Sequence, residues 1–414
     1  MKEEELIDIL KKNEQEHIAK ILPKLTKEER RIIDKQVSKI DFEELKKLYK
    51  KTISSEIKVK SKIEPIKYID KERINNEEKQ QFTEIGEEKI RNGKLAVVTM
   101  AGGQGTRLGH NGPKGTFILD TKENKSLFQI LCETLKKAHK KYNIIVPWYI
   151  MTSIENNDDT VKFFEENHYF DYPKEDIFFF KQGELPMLDI HGKLFLDETK
   201  KIKFAADGHG GVFKAMIDNG VLKDMKNRGV EWVFIAGVDN CLAKMVDPLL
   251  IGISEKKQVL AAGKSLVKLN AKEKVGVFCK RNGKPSVIEY TEITDEMAEK
   301  REKDGELTYG ESHILCNMFN VKAIEKIGKE KLEYHVAFKK ANYLDEKGNL
   351  ILATENNSYK FESFIFDVFE RLNEIVVLRV KREEEFAPVK NASGIDSPET
   401  ARELYYKQVK LNNE

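Results

Sequence analysis

The chain has 414 residues, enough for two or three domains and a large buried core. It carries 72 lysines and arginines against 70 aspartates and glutamates, and a net charge of only +2 argues against a nucleic-acid-binding protein. No uncharged apolar stretch approaches the ~20 residues of a membrane span, and the acidic start MKEEELIDILKK lacks a signal-peptide core, so we expect a cytoplasmic protein without a membrane partner.

The first part of the chain, residues 1–90, is dense in lysine and glutamate and contains no strand-like run. Apolar residues recur there at helical spacing, at Leu6, Ile9, Leu10, Ile18, Ile21 and Leu22. We therefore predict an N-terminal helical subdomain over residues 1–90, with an extended arm near residues 57–68. No phosphate-binding or catalytic pattern occurs in it, which favours a role in packing or assembly.

From Leu95 onward, apolar runs that indicate strands alternate with helical segments. The predicted strands are residues 95–100, 144–151, 177–180, 232–237, 259–263 and 276–278. The predicted helices include residues 126–142 and 212–227, and a last helix begins at about Ser397. This alternation is typical of an α/β fold with a mostly parallel, Rossmann-like sheet flanked by helices. We assign residues 91–384 to this α/β domain and residues 385–414 to a small C-terminal tail.

The first of these strands leads into a glycine-rich loop, AGGQGTRLGHNGPKG. Glycines let a backbone turn sharply and bring its N–H groups close to a ligand, while Arg107 and Lys114 add positive charge. This combination is typical of a site for a nucleoside triphosphate or a sugar phosphate. A dinucleotide fingerprint would need glycine where Leu108 stands, and a P-loop would need Gly-Lys followed by Ser or Thr. A tight turn without a ligand is the remaining alternative.

Further motifs follow this loop along the chain. They are QGELP at residues 182–186, DGHGG at 207–211, VDNCLAKMVDP at 238–248, VGV at 275–277 with EYTEI at 289–293, YHVAFKK at 334–340, FIFDVF at 364–369 and FAPVKNA at 386–392. In content and order the series resembles the eukaryotic-type UDP-sugar pyrophosphorylases (UDPGP type 1), above all the N-acetylglucosamine branch. The resemblance implies a GT-A-like nucleotidyltransferase that makes a UDP-sugar and pyrophosphate from UTP and a sugar-1-phosphate.

The resemblance implies a reaction in which a phosphate oxygen of the sugar phosphate attacks the α-phosphorus of UTP, so no nucleophilic side chain is needed. Arg107, Lys114 and Lys390 would bind phosphates and stabilise the leaving pyrophosphate. Asp239, at the end of an apolar strand, would hold Mg²⁺, although an aspartate in that place fits an Asx turn or a cap as well. Asp367 is left open as a second acid or a buried structural partner.

The resemblance also assigns residues to the nucleotide and to the sugar. The nucleotide set is Ala101, Gly102, Gly103, Gly105, Thr106, Gln182 and Gly208, and the Gln182 amide would read the uracil edge. The sugar set is His209, Gly276, Glu289, Tyr290, Asn317, Phe364 and Phe366. On the residues alone, the spacing of Phe364 and Phe366 fits one face of a core strand, so core packing is the simpler interpretation of that pair.

One position departs from the N-acetylglucosamine branch. That branch carries D-G-N-G-G where this chain has His209 in D-G-H-G-G, and the glucose branch carries G-H-G. Because the remaining motifs resemble the N-acetylglucosamine branch and histidine can still donate to a hydroxyl, we expect N-acetylglucosamine-1-phosphate first and glucose- or galactose-1-phosphate next. A UDP-sugar-binding protein without catalysis is an alternative of another class. The joint presence of Arg107, Lys114, Asp239 and Lys390 argues against it.

The cysteines give no sign of a metal site. Cys132, Cys241, Cys279 and Cys316 are widely spaced and form no C-x-x-C pair, which excludes the usual zinc spacing. We expect buried free thiols, as in a reducing compartment.

Overall fold

The computed structural model describes residues 2–54, 61–331 and 333–411. The chain falls into two units, each made of separate stretches. The first comprises Met1–Lys60, Gly183–Gly211 and Leu332–Phe364, and the second comprises Ser61–Gln182, Val212–Lys331 and Ile365–Glu414. The N-terminal residues predicted as one subdomain, 1–90, are therefore distributed over both units. Of the predicted arm at residues 57–68, the part up to residue 60 lies outside the described residues.

The second unit is built on a large, mostly parallel sheet, which confirms the predicted α/β class. Of the strands on its main path, only Glu311–Asn320 runs antiparallel to its neighbours among the described residues. A hairpin of Val277–Arg281 and Lys284–Ile288 joins the sheet beside that strand, and Ile63–Pro65 pairs with the hairpin. The path runs through Ile69–Asp70, Val376–Arg379, Ala261–Val267, Glu311–Asn320, Trp232–Gly237, Leu95–Met100, Trp148–Thr152 and Ile177–Lys181.

Two of the predicted strands, residues 95–100 and 232–237, have the same bounds in the structure, and the others shift by a few residues. The strand predicted at residues 144–151 begins later, at Trp148, because the Tyr172 hydroxyl binds both the N–H and the carbonyl of Val146, at 3.1 and 2.7 Å. Pro147 has no N–H to give to the ladder, so pairing starts with its carbonyl.

Two helices of the second unit, Asn76–Arg91 and Pro248–Lys256, touch backbone to backbone. A Cβ on Gly86 would lie 1.8 Å from the Pro248 carbonyl oxygen, and a Cβ on Gly252 would lie 1.7 Å from the Phe82 carbonyl oxygen. Glycines are therefore required where these helices cross. The helices of this unit are Asn76–Arg91, Leu127–Tyr142, Asn157–Glu166, Val212–Asp218, Val221–Asn227, Pro248–Lys256, Asp295–Glu299, Val321–Gly328, Arg382–Glu385 and Pro398–Leu411.

Short elements complete the second unit. Ile118–Asp120 pairs with Lys125–Ser126, and 3-10 turns occur at Thr106–Leu108, Lys114–Thr116, His168–Asp171, Lys174–Asp176 and Ile365–Arg371. The single helix predicted at residues 212–227 is wrong, because Gly220 adopts φ +75° and ends the first of two helices there. The main core lies between the sheet and its helices, with Trp148 and Phe234 from strands and Leu131 from a helix.

The first unit combines N-terminal helices with short strands from later in the chain. Its helices are Glu3–Lys12, Glu16–Ile21, Lys27–Val37 and Phe42–Ile53, with a 3-10 turn at Leu22–Lys24. Among its strands, Glu184–Pro186 pairs with Phe204–Ala206, and Tyr343–Leu344 pairs with Leu350–Ile351. Ser358–Glu362 is the central strand of a third sheet and pairs with His335–Lys339 on one side and with Leu188–Asp189 on the other. Leu10, Leu196 and Phe361 share one core. Across the described parts of both units, no helix has the length and apolar character needed to cross a bilayer.

Candidate active site

The glycine-rich loop folds back on itself after the strand that precedes it. The Gly105 N–H donates to the Gly112 carbonyl at 2.9 Å, and the Lys114 N–H donates to the Gly103 carbonyl at 3.0 Å. These hydrogen bonds keep Arg107 and Lys114 on one small loop. With the described residues, neither cation forms an ion pair or a side-chain hydrogen bond. Two cations without a protein counter-ion are well suited to bind phosphates.

His110 fastens this loop, a role for which the sequence offers no motif. Its Nε2 lies 2.7 Å from Thr116 Oγ1, and that hydroxyl donates its own hydrogen to the Pro113 carbonyl at 2.8 Å. The hydroxyl can therefore only accept from the imidazole, so Nε2 of His110 carries a proton. The ring also covers Gly105, where a Cβ would lie 2.7 Å from His110 Cδ2. Packing against His110 thus requires a glycine at this predicted nucleotide-binding position.

Gln182 lies directly against the same loop. A Cβ on Gly102 would lie 2.6 Å from Gln182 Oε1, so the glycine makes room for this amide. The Gln182 N–H donates to the Thr152 carbonyl at 2.8 Å, which anchors the residue where two parallel strands end. The structure therefore brings together two residues of the predicted nucleotide set, at the edge where parallel sheets bind ligands.

Asn156 supports the start of the loop and is not part of any motif found in the sequence. It is fully buried, and its Nδ2 donates to the Ala101 carbonyl at 2.9 Å. Its Oδ1 accepts from the Ser153 N–H at 2.8 Å, and the Ala101 N–H donates to the Met151 carbonyl at 2.7 Å. Both backbone groups of Ala101 are thus hydrogen-bonded to protein partners. Further along the loop, Thr106 begins a 3-10 turn.

Asp239 and Lys390 lie far apart in the sequence of the second unit, and backbone and side-chain hydrogen bonds between their neighbours join the two segments. The Val389 N–H donates to the Asp239 carbonyl at 2.9 Å. The Asn240 side chain accepts from the Ala387 N–H at 2.9 Å through Oδ1. Its Nδ2 donates to the Glu385 carbonyl at 2.8 Å. The Asp239 carboxylate is half-buried and has no hydrogen-bond partner among the described residues. The acid predicted to bind the metal and the lysine predicted to bind phosphate are thus held on paired segments.

A buried cluster of charges lies behind these segments. Lys264 Nζ is 2.6 Å from an oxygen of Asp247 and 2.5 Å from an oxygen of Glu385, and Lys71 Nζ is 2.8 Å from the other Glu385 oxygen. Burial alone would raise the pKa of Glu385, but Lys264, Lys71 and Lys244 outweigh it and hold this pKa at about 2. Through the ion pairs of Glu385, this cluster therefore fixes the chain segment that leads to Lys390.

The sugar set of the second unit gathers around the strand Glu311–Asn320 and the neighbouring hairpin. A Cβ on Gly276 would lie 3.1 Å from Glu289 Oε1, so these two predicted residues are in contact. Asn317 is fully buried, whereas Tyr290 is 45% exposed. The carboxylate and the amide have the hydrogen-bonding capacity that vicinal sugar hydroxyls require.

The apolar run at residues 364–369 does not form the strand expected of it. Phe366 is buried within the 3-10 turn Ile365–Arg371, and Phe364 precedes that turn. The strand face that their spacing fits does not form, although the burial of Phe366 agrees with the core-packing interpretation of that ring. The backbone of Ser363 instead pairs with the DGHGG segment, accepting from the Gly210 N–H at 2.9 Å, and the chain turns immediately afterwards. Asp367 is half-buried in the same turn, and its role stays a prediction.

In the first unit, the structure brings together Gly208, His209 and Phe364. Gly208 adopts φ +87°, and a Cβ there would lie 2.2 Å from the Ser363 carbonyl oxygen, so no other residue fits. The ring centroids of His209 and Phe364 are 5.3 Å apart. A histidine at this position can therefore contact an aromatic residue of the sugar set, which the shorter asparagine of the related branch is less able to do.

A sequence model of the family described as UTP–glucose-1-phosphate uridylyltransferase matches residues 41–400. The chain belongs to this family. It is 40% identical to the UDP-N-acetylglucosamine pyrophosphorylase of Saccharomyces cerevisiae, over 80% of this chain and 72% of that protein. It is 40% identical to a UDP-N-acetylhexosamine pyrophosphorylase-like protein of Xenopus tropicalis, over 78% of this chain, and the match spans 66% of that protein's length.

The solved structures agree with this family membership. The UDP-N-acetylglucosamine pyrophosphorylase of Trypanosoma brucei, crystallised with an inhibitor, superposes with a TM-score of 0.83 at 28% identity, over 99% of this chain and 85% of that one. The family resemblance that the motifs predicted is therefore confirmed. The predicted enzyme class, a UDP-sugar pyrophosphorylase that transfers a uridylyl group, is confirmed as well. Within that family frame, the assignment of individual residues to phosphate, metal, uracil and sugar stays a prediction that the contacts above support.

Proposed function

We propose that this chain makes UDP-N-acetylglucosamine and pyrophosphate from UTP and N-acetylglucosamine-1-phosphate. The observation that carries the proposal is the arrangement of charges in the second unit. Arg107 and Lys114 share one closed loop without counter-ions among the described residues, while Asp239 and Lys390 lie on segments that are paired to each other. Phosphoryl chemistry of this kind depends on positioning and on charge neutralisation.

In the proposed reaction, the sugar-phosphate oxygen is itself the nucleophile. It attacks the α-phosphorus of UTP, the bond to the bridging oxygen breaks, and pyrophosphate leaves with the electron pair. Arg107 and Lys114 bind the β- and γ-phosphates and stabilise the charge that the leaving group gains. Lys390 would contact the phosphate that joins the two substrates; its side chain is 45% exposed and its Nζ lies 3.7 Å from Asp396 Oδ2.

We propose Mg²⁺ as the metal, held by Asp239. Among the described residues no three His, Cys, Asp or Glu side chains form a group that could hold a metal by themselves. A single carboxylate without a hydrogen-bond partner fits Mg²⁺, which usually takes one or two carboxylates and completes its shell with substrate phosphates and water. When bound, the cation would offset charge on the phosphates.

The uracil is proposed to bind where the Gln182 amide lies against Gly102. An amide presents both a donor and an acceptor, which matches the edge of a pyrimidine. The backbone of Gly102, Gly103 and Thr106 would contribute further nucleotide contacts. A bulkier residue at position 102 would push the amide away, because its Cβ would lie 2.6 Å from Gln182 Oε1.

Within the second unit, the sugar is proposed to bind through Gly276, Glu289, Asn317 and, from the family pattern, Tyr290 and Phe366. The names of the relatives support an N-acetylated sugar. His209 supports the second candidate, glucose- or galactose-1-phosphate, because it replaces the asparagine of the N-acetylglucosamine branch. We also propose a cytoplasmic location, since the four cysteines are free and buried, as expected in a reducing compartment.

Pyrophosphate release tests the proposal. The chain is incubated with UTP, Mg²⁺ and one sugar-1-phosphate at a time, with EDTA as the control for the metal. We expect release with N-acetylglucosamine-1-phosphate above all others, and none with EDTA. Release mainly with glucose- or galactose-1-phosphate would favour the second candidate. Nucleotide binding without any release would favour a UDP-sugar-binding protein that has lost catalysis.

A further inference from the structure

We call the region around the strand Glu311–Asn320 and the hairpin beside it the sugar end of the second unit. It contains a buried histidine that has no part in the proposed reaction. His313 is 8% exposed and touches three members of the predicted sugar set. Its backbone N–H donates to the Gly276 carbonyl at 2.8 Å. Its Nε2 lies 3.0 Å from Asn317 Oδ1, and its ring packs edge-on against Phe366 with centroids 5.5 Å apart. The backbone and the side chain of one residue thus contact groups that come from three separate parts of the sequence.

A bulge in the strand brings His313 and Asn317 together. In a regular strand, residues four apart are separated by about 13 Å. Here Asn317 pairs with Gly263 and His313 pairs with Ser265. Four residues of the strand Glu311–Asn320 therefore span the same distance as two residues of its neighbour Ala261–Val267. Leu315, at the centre, adopts φ +54°, which a bulky residue rarely does. Strained conformations and bulges of this kind cluster at functional sites, where they re-aim side chains.

The Asn317 amide directs its Oδ1 towards Nε2 of His313. Oδ1 of an amide can only accept, so the imidazole donates from Nε2. The amide Nδ2 is then left without a hydrogen-bond partner among the described residues, although the side chain is fully buried. Buried donors without partners are uncommon and destabilising, so an unfilled donor indicates a group that a ligand completes. A sugar hydroxyl or acyl oxygen is the acceptor that fits this site.

We infer that His313 is a positioning residue for the sugar: it holds the Asn317 amide in the donor orientation and supports the Phe366 ring beside it. This inference rests on the proposed function, because it concerns the same site. His313 acts through Asn317 and Phe366 without touching the reacting phosphates. Its removal should therefore weaken recognition of the sugar and leave recognition of the nucleotide unchanged.

Binding of UDP-N-acetylglucosamine and of UDP, measured by calorimetry on the full chain, tests this inference. His313→Phe keeps a ring for packing and removes the donor, so we expect the UDP-sugar to bind about tenfold more weakly and UDP to bind as before. His313→Gln keeps a donor and should recover most of the loss. In a chain that already carries Asn317→Ala, adding His313→Phe should cost nothing more.

The control for general loosening of the core is Phe369→Leu. Phe369 is fully buried and packs near His313, with centroids 6.4 Å apart, but it forms no hydrogen bond to the sugar set. It should lower the melting temperature and leave the ratio of UDP-sugar to UDP affinity unchanged. Asn317→Asp gives a second readout that leaves His313 intact, because it keeps the acceptor for the imidazole and removes the amide donor. It should weaken UDP-sugar binding alone.

The outcomes separate this inference from the proposed function. An equal loss of UDP and UDP-sugar affinity in His313→Phe, or additive losses in the double variant, would overturn the positioning role. A wild-type chain that binds UDP-sugar no more tightly than UDP would overturn it as well. Absence of turnover with every sugar-1-phosphate would contradict the proposed reaction, while the binding ratios would still decide the role of His313.

Discussion

The phosphate end and the sugar end of the second unit are organised in different ways. At the phosphate end, Arg107 and Lys390 lie exposed on loops that are held by backbone hydrogen bonds. At the sugar end, Asn317 is fully buried and is oriented by the side chain of His313 within a bulged strand. Phosphates can be held by charge from several directions, whereas sugars that differ by one group require donors and acceptors in fixed orientations.

The largest effect is expected at the phosphate end, from Asp239→Asn. The amide keeps the shape and removes the negative charge, so we expect turnover to fall at least ~1,000-fold with little change in the melting temperature. Asp218→Asn, at an exposed residue paired with Lys214, is the matched control and should retain full activity. Retained activity in Asp239→Asn would remove this residue from the metal role.

Lys264→Met tests whether the ion network is what fixes the phosphate end. The change leaves Asp247 and Glu385 buried near one another without their shared cation. Breaking a buried pair in this way typically destabilises a protein by about 3–5 kcal/mol. Urea unfolding should show a loss of that order. A loss below about 1 kcal/mol would contradict the account of the cluster.

Acid should act on the same cluster. The folded-state pKa of Glu385, held at about 2 against its ordinary 4.5, means that its ion pairs stabilise the fold fully above pH 4.5. This contribution is lost as the pH falls from about 4.5 towards 2, because the unfolded chain takes up the proton first. The free energy of unfolding should fall through this window in the wild type and fall less steeply in Glu385→Gln. Equal slopes would contradict the assignment.

A smaller effect is expected from Gly102→Ala. The new methyl group would lie 2.6 Å from Gln182 Oε1 and displace the amide, so the KM for UTP should rise about tenfold and the preference for UTP over CTP should decrease. Gly103→Ala is the matched control, because a Cβ there meets nothing within 4 Å. The control should keep the base preference. The same change of preference in both variants would show that Gln182 does not read the base.

The smallest effect is expected in the first unit, from His209→Asn. This change restores the residue of the N-acetylglucosamine branch and removes the ring that lies 5.3 Å from Phe364. We expect the ratio of kcat/KM for N-acetylglucosamine-1-phosphate over glucose-1-phosphate to rise a few-fold, as single contacts to a sugar allow. An unchanged ratio would mean that this loop does not discriminate between the sugars.

Much of the fold follows from local patterns in the sequence. The strands Leu95–Met100 and Trp232–Gly237 are continuous apolar runs, and parallel strands buried on both faces read in that way. The break at Gly220 and the turn at residues 365–371 were not predicted, since both depend on a backbone conformation or on pairing that an apolar pattern does not encode. The distribution of residues 1–90 over two units depends equally on distant contacts.

The candidate site shows the same limit. Motifs pointed to Arg107, Lys114, Asp239 and Gln182 because these residues stand beside glycines or strand ends. They gave no sign of His110 or His313, whose roles arise from hydrogen bonds to Thr116 and Asn317 in the folded chain. A lone histidine in an apolar stretch looks like a core residue until the bulge that re-aims it is known.

The most direct test of the central claim is a competition for limiting UTP. Equal concentrations of N-acetylglucosamine-1-phosphate and glucose-1-phosphate are supplied together with Mg²⁺, and the two UDP-sugars are quantified by mass spectrometry. The account predicts an excess of UDP-N-acetylglucosamine. An excess of UDP-glucose would contradict it and would assign the choice of sugar to the loop that carries His209.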